Sequence, residues 1–221
     1  MKKILLIGAL LSAVCSISSA NPKKNVEPTN THYGHEWVDL GLPSGTKWAT
    51  CNVGASTPGD YGDFFAWGET TAKEVFLESN SVTCNKSYKA IGGDVNLDAA
   101  KANWRGSWRM PNWAELNELR QKCTWEWTTQ DGSNGFKVTG PNGQSIFLPA
   151  AGYRKGGFVK NGVATAVQII EEGTAGYYWT SNPQDDRLTE AKCLCGKDDN
   201  SIIIKRQRRS CGCSIRPVLV D

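Results

Sequence analysis

Two C-x-C pairs, Cys193/Cys195 and Cys211/Cys213, place four thiols close together late in the chain, and Cys51, Cys84 and Cys123 add three more. Thiols in an exported protein pair as disulfides by default, and this odd number leaves at least one unpaired. Four thiolates are also a ligand set for zinc. Zinc sites, however, place two to four residues between paired ligands, and these pairs have one. Three readings stay open for the two pairs: at least one disulfide, reduced thiols in the core, or a metal. Cys51 and Cys123 read equally as small core residues or as half of a bridge.

Other groups offer weaker chemistry. His32, His35 and Glu36 supply ligand types that suit a transition metal, but no third anchored partner follows in sequence, and they read as exposed residues at the mouth of the domain. With these two histidines alone in the chain, no Ser or Cys nucleophile system takes shape. Lys205-Arg206-Gln207-Arg208-Arg209 concentrates four cations in five residues. It reads as a solvated hairpin end, with an acidic carbohydrate or anionic surface as the rival. Asp60, Asp63, Asp185, Asp186, Asp198, Asp199 and Asn200 fall where turns are expected, and turn chemistry accounts for them without an ion.

The elements that must hold these groups are mostly strands. Gly and Pro punctuate the chain at short intervals, and no repeat is visible. Asn112 as N-cap with Glu115 three residues on predicts one clear helix, with Trp113, Leu116 and Leu119 as its apolar stripe. A shorter helix is expected to start at Asp98 and run through residues 99–102. Beyond them, Asp131-Gly132 predicts a hairpin that sets Trp127 opposite Phe136 and Trp125 opposite Val138, and Asn142-Gly143 returns the chain through Ile146-Phe147-Leu148. Four later strands of similar short length are expected at residues 177–181, 191–195, 202–206 and 215–220. If the last three formed a simple meander, the middle strand would keep the two C-x-C pairs apart. The fold class is therefore α+β: curled antiparallel sheets with one or two helices.

Several phrases then carry a resemblance: residues 36–42 (EWVDLGL), 47–55 (KWATCNVGA), 63–70 (DFFAWGET), 107–112 (SWRMPN) with Glu115, 176–181 (GYYWTS) and 214–218 (SIRPV). They resemble the Fibrobacter succinogenes major paralogous domain family, exported bacterial domains with a C-type-lectin-like fold, over residues 34–221. The resemblance implies a lectin-like arrangement with loops at one end and brings no known activity. Arg109, Pro111 and Glu115 look like the Arg-x-Pro-x-x-x-Glu phrase of lectin-like relatives that include formylglycine-generating enzymes. Those enzymes use two late cysteines, and Cys211 and Cys213 are late, but their spacing departs from that pattern. Arg109 and Glu115 read instead as groups fixing the start of the helix. The sugar-binding phrases of calcium-dependent lectins do not occur, so neither calcium nor any other cofactor is implied.

The N-terminus has the three zones of a secretory leader over residues 1–20: Lys2-Lys3, an apolar run over residues 4–17, and Ser18-Ser19-Ala20 before the cleavage point. Lipid attachment at Cys15 is the less favoured route, since Val14 precedes it. Loss of Lys2 and Lys3 takes the formal charge from +3 to +1, which leaves no global field to recruit nucleic acid. Residues 21–33 read as a flexible tether. The tryptophans, among them Trp48, Trp67, Trp104, Trp108, Trp125, Trp127 and Trp179, are expected to be structural. The function expected is that of an exported, non-catalytic module, secreted, periplasmic or at the cell surface, binding a protein or glycan. An enzyme of the formylglycine-generating type or a structural part of a surface appendage stands as the alternative.

Overall fold

The computed structural model describes residues 30–219. The leader, Cys15 and the tether through residue 29 lie outside the described residues. The architecture is α+β, with antiparallel sheets and two α-helices. Strands β1 (Thr31–His32), β2 (His35–Asp39) and β3 (Lys47–Ala49) form one sheet, which β12 (Val218–Leu219) completes by pairing antiparallel to β3. Thr31 and His32 pair with Glu36 and His35, so the last residues assigned to the tether belong to the fold.

Helix α1 (Ala99–Trp104) follows Asp98, whose carboxylate accepts from Lys101 N at 3.1 Å as an N-cap. The same carboxylate accepts from Gly93 N (2.7 Å) and Met110 N (2.8 Å), tying two loops to the helix start. Helix α2 (Trp113–Lys122) begins with the reciprocal Asn112/Glu115 box expected from sequence. Leu116 and Leu119 are buried as expected, whereas Trp113 is 43% exposed and does not belong to the stripe.

Strands β4 (Thr124–Gln130), β5 (Ser133–Thr139) and β6 (Ser145–Pro149) make the anticipated meander, with Trp125 opposite Val138 and Trp127 opposite Phe136. Strands β7 (Tyr153–Lys160) and β8 (Val163–Ile170) form a separate two-stranded hairpin that sequence reading missed. Its signal was present: Asn161 (φ 52°) and Gly162 (φ 79°) are the Asn-Gly pair that a tight hairpin turn requires.

Strands β9 (Ala175–Gln184), β10 (Arg187–Lys197) and β11 (Ile202–Arg208) form the central sheet in the order β11-β10-β9. At 10 and 11 residues, β9 and β10 are longer than the short strands expected. Alternation along them divides the core. Tyr177, Trp179, Cys193 and Cys195 face a cluster containing Trp67, Trp104 and Trp108, while Tyr178 and Leu194 face Trp48, Leu116, Leu119 and Phe136.

The C-terminal segment does not continue the meander beyond β11. Ser214 runs parallel beside Tyr178 on the far side of β9, Cys213 bridges Phe65, and Val218 pairs with Trp48. No helix among the described residues is long and apolar enough to cross a membrane.

Candidate functional site

One face of the β7–β8 hairpin and the loop before the first helix enclose an open cleft of about 610 Å³. Phe64, Val163 and Val167 provide its apolar surface, and Asp63, Lys73, Glu74 and Arg154 its charged groups. The hairpin is pinned to the core at both sides of this cleft. Arg154 N donates to Gly212 O and Gly212 N to Arg154 O, each at 2.8 Å, while Phe76 and Gly156 exchange bonds of 2.9 and 2.8 Å.

The Arg154 guanidinium lies 4.2 Å from the centroid of the Phe64 ring, a cation–π contact. Among the described residues it has no carboxylate or hydrogen-bonded acceptor. Lys73 is already used: it bonds Glu69 (2.8 Å) and Asn80 O (3.1 Å). Asp63 and Glu74 are exposed and make no side-chain hydrogen bond among the described residues. The cleft thus offers one uncommitted set of N–H donors and two uncommitted carboxylates. A polar ligand with an apolar face matches that pattern.

A second recess of about 440 Å³ is lined by His35, Glu36, Thr50, Cys51 and Trp104. His35 stacks on Trp104 with ring centroids 3.7 Å apart and planes 3° from parallel, and burial lowers its pKa. His32 is occupied elsewhere: its Nε2 accepts from Ser107 N at 2.9 Å and its carbonyl from Trp108 Nε1 at 2.8 Å. These histidines pack on tryptophans rather than standing exposed at a mouth. No group of three or more His, Cys, Asp and Glu residues positioned to hold a metal occurs among the described residues.

Among the described residues, Cys51, Cys84, Cys123, Cys193, Cys195, Cys211 and Cys213 are all free thiols. The two C-x-C motifs nevertheless meet on one core face, where all four thiols join one buried cluster and the Cys193 thiol donates to Leu194 O at 3.4 Å. Strand β9 runs between their backbones, which puts Cα atoms two strands apart at about 9.5 Å. A disulfide needs them within about 7 Å, so this spacing does not bridge the two motifs. Burial pushes Cys211 up to about 11 and Cys213 well above its ordinary value; Cys195 is raised by the same cause.

A thiol with pKa near 11 is about one part in a thousand thiolate at pH 8, and the thiolate is the nucleophile. Iodoacetamide at pH 8 is therefore expected to leave Cys211 and Cys213 unmodified in the native protein and to label both in urea. The native rate at Cys211 should rise about tenfold per pH unit up to its pKa. Rapid native labelling, or recovery of a 193–213 disulfide peptide, would contradict this arrangement.

Arg109 and Glu115 form a two-pronged ion pair (2.9 and 2.5 Å), and Glu115 also accepts from Asn112 N at 2.8 Å. The pair fixes the start of α2 and raises the Arg109 pKa. The basic run is solvated only in part: Arg206 and Arg208 are exposed, Lys205 is half-buried and Arg209 is buried. Lys205 sits over the Tyr177 ring at 4.7 Å, Arg206 approaches Glu190 at 3.8 Å, and Arg208 pairs with Glu78 at 2.8 Å. Arg209 is buried against Trp67 and donates to the carbonyls of Glu190, Thr83 and Lys86. Strand alternation sends neighbouring cations to opposite faces and breaks up the patch.

Two of the acidic turn residues satisfy local backbone, Asp186 accepts from the Gln184 amide at 3.0 Å, and Asp185 lies 3.5 Å from Lys192. Asp60 accepts from Ser56 N and Thr57 N, which lowers its pKa, and Asp199 accepts from Ser201 N. Asp63 alone of that group reaches the hairpin cleft. Sequence reading missed Arg154 entirely. No family model, no curated protein and no solved structure matches the chain. Fold and cleft together define an antiparallel α+β domain whose exposed hairpin walls a charged cleft.

Proposed function

We propose that this chain is an exported, non-catalytic binding module with a lectin-like arrangement, and that it holds a protein or glycan ligand in the hairpin cleft. The carrying observation is Arg154: a half-buried guanidinium resting over Phe64 and left without an acceptor, in a cleft of ligand size. The N-terminal leader supports export. The raised pKa values of Cys211 and Cys213 speak against the formylglycine-type alternative, which needs an accessible reactive thiol.

One observation favours the appendage reading. No strand pairs with the outer edge of β8 among the described residues, and that eight-residue strand carries no charge. Such an edge is open to strand addition.

The test is a panel of glycans and extracellular-matrix proteins, with and without calcium, applied to the wild type and to Val167→Trp, which fills the cleft from its hairpin face. Ligands retained by the wild type should be lost by the variant at an unchanged melting temperature. Retention by both would move the site elsewhere.

A further inference from the structure

The charges of the hairpin cleft discriminate among ligands. The other described arginines that are not exposed are provided for: Arg109 by Glu115, Arg120 by the Asn117 amide oxygen, Arg209 by three carbonyls, and Arg216 by three carbonyls and an amide oxygen. Arg154 alone of this set keeps its donors open, and they face the cleft. Its backbone N–H and C=O both bond Gly212 and its guanidinium rests over Phe64, so less order remains to be imposed when an acceptor arrives. A planar guanidinium fork matches a carboxylate with two parallel bonds.

The acidic groups lining the cleft limit what else the ligand carries. Asp63 and Glu74 are uncommitted, while Lys73 spends its charge on Glu69. A ligand therefore meets one free cation and two free anions. A run of phosphates, sulfates or acidic side chains would place like charges against Asp63 and Glu74. Hydroxyl groups, by contrast, donate well to carboxylates. Val163, Val167 and Phe64 offer surface for the aliphatic C–H face of a ring.

We propose that the cleft recognises an acidic sugar of the uronic-acid type, with its carboxylate on Arg154 and ring hydroxyls donating to Asp63 and Glu74. The proposal rests on the cleft being the binding site and adds the class of ligand. A carboxylate set among hydroxyls fits one cation together with two anions, whereas an acidic peptide does not.

The test titrates the full chain with trigalacturonic acid, neutral galactotriose and a hexa-aspartate peptide, using calorimetry and the methyl resonances of Val163 and Val167. Trigalacturonic acid should bind and shift both sets of methyls, galactotriose should bind at least about tenfold more weakly, and hexa-aspartate should not bind. Arg154→Gln should lose about tenfold or more in affinity at an unchanged melting temperature, and Arg154→Lys should fall between, keeping the charge without the fork. Failure of trigalacturonic acid to bind, unchanged affinity in Arg154→Gln, or binding of hexa-aspartate would overturn the proposal. If galactotriose or a matrix protein shifts the Val163 and Val167 methyls as strongly as the acidic sugar does, the carboxylate assignment fails and the cleft stands as a site. If the retained ligands bind without moving those methyls, the cleft reading fails as well.

Discussion

Replacing Trp179 by alanine is expected to lower the unfolding free energy by about 3–5 kcal/mol, because it opens a large cavity in the wider of the two main cores. Trp179 has no exposed surface and packs in the cluster with Trp67, Trp104 and Trp108. Its Nε1 donates to Phe65 O at 2.8 Å, but that carbonyl also accepts from Cys213 N at 3.1 Å and keeps a partner in the variant. The cost is therefore mainly lost packing. Trp113→Ala is the matched control, since that ring is 43% exposed on α2 and near Lys192; it should cost about 1 kcal/mol or less. Urea unfolding of both variants decides, and equal losses would mean that burial does not set the energetics of these rings.

Local signals made much of this fold legible in the sequence. The Asn112/Glu115 box and the Asp98 cap act within a few residues, and the Trp125/Val138 and Trp127/Phe136 pairing follows from one two-residue turn. What stayed hidden was tertiary. The hairpin cleft joins Asp63 and Glu74 to Arg154 and Val167, and nothing near Arg154 in sequence shows that Phe64 will lie under its guanidinium. Strands β7 and β8 were obscured by Gly156-Gly157 and by Ala166, whose positive φ values of 73°, 95° and 56° interrupt a plain strand pattern. Arg209 misled for the same reason. Arginine in a polar phrase reads as solvated until folding supplies a set of carbonyls to receive it.

That receipt sets the second large effect, at Arg216. The side chain is fully buried and donates to Asn52 Oδ1 (2.9 Å), Ala49 O (3.0 Å), Thr50 O (2.8 Å) and Phe147 O (2.8 Å), so one guanidinium joins the β3 region, the loop after it and β6. Among the described residues no carboxylate balances the charge, and burial lowers its pKa. Two terms oppose each other when Arg216 is replaced by alanine. Removing a desolvated cation relieves a penalty of several kcal/mol. Against this, up to four buried acceptors lose a donor, at about 1–3 kcal/mol each, and a large cavity opens. The acceptors and the cavity outweigh the relief, and a net loss on the order of 4 kcal/mol or more is expected, a large part of the roughly 5–15 kcal/mol that stabilises a domain. Arg216→Lys should fall between, because an ammonium has three N–H groups for four acceptors and no planar fork. Arg216→Met separates the terms, since it refills most of the volume without a charge or a donor. If unfolding of Arg216→Met matched the wild type, the orphaned carbonyls would be cheap and the buried charge the dominant cost; a loss close to that of the alanine variant would assign the stabilisation to the four hydrogen bonds.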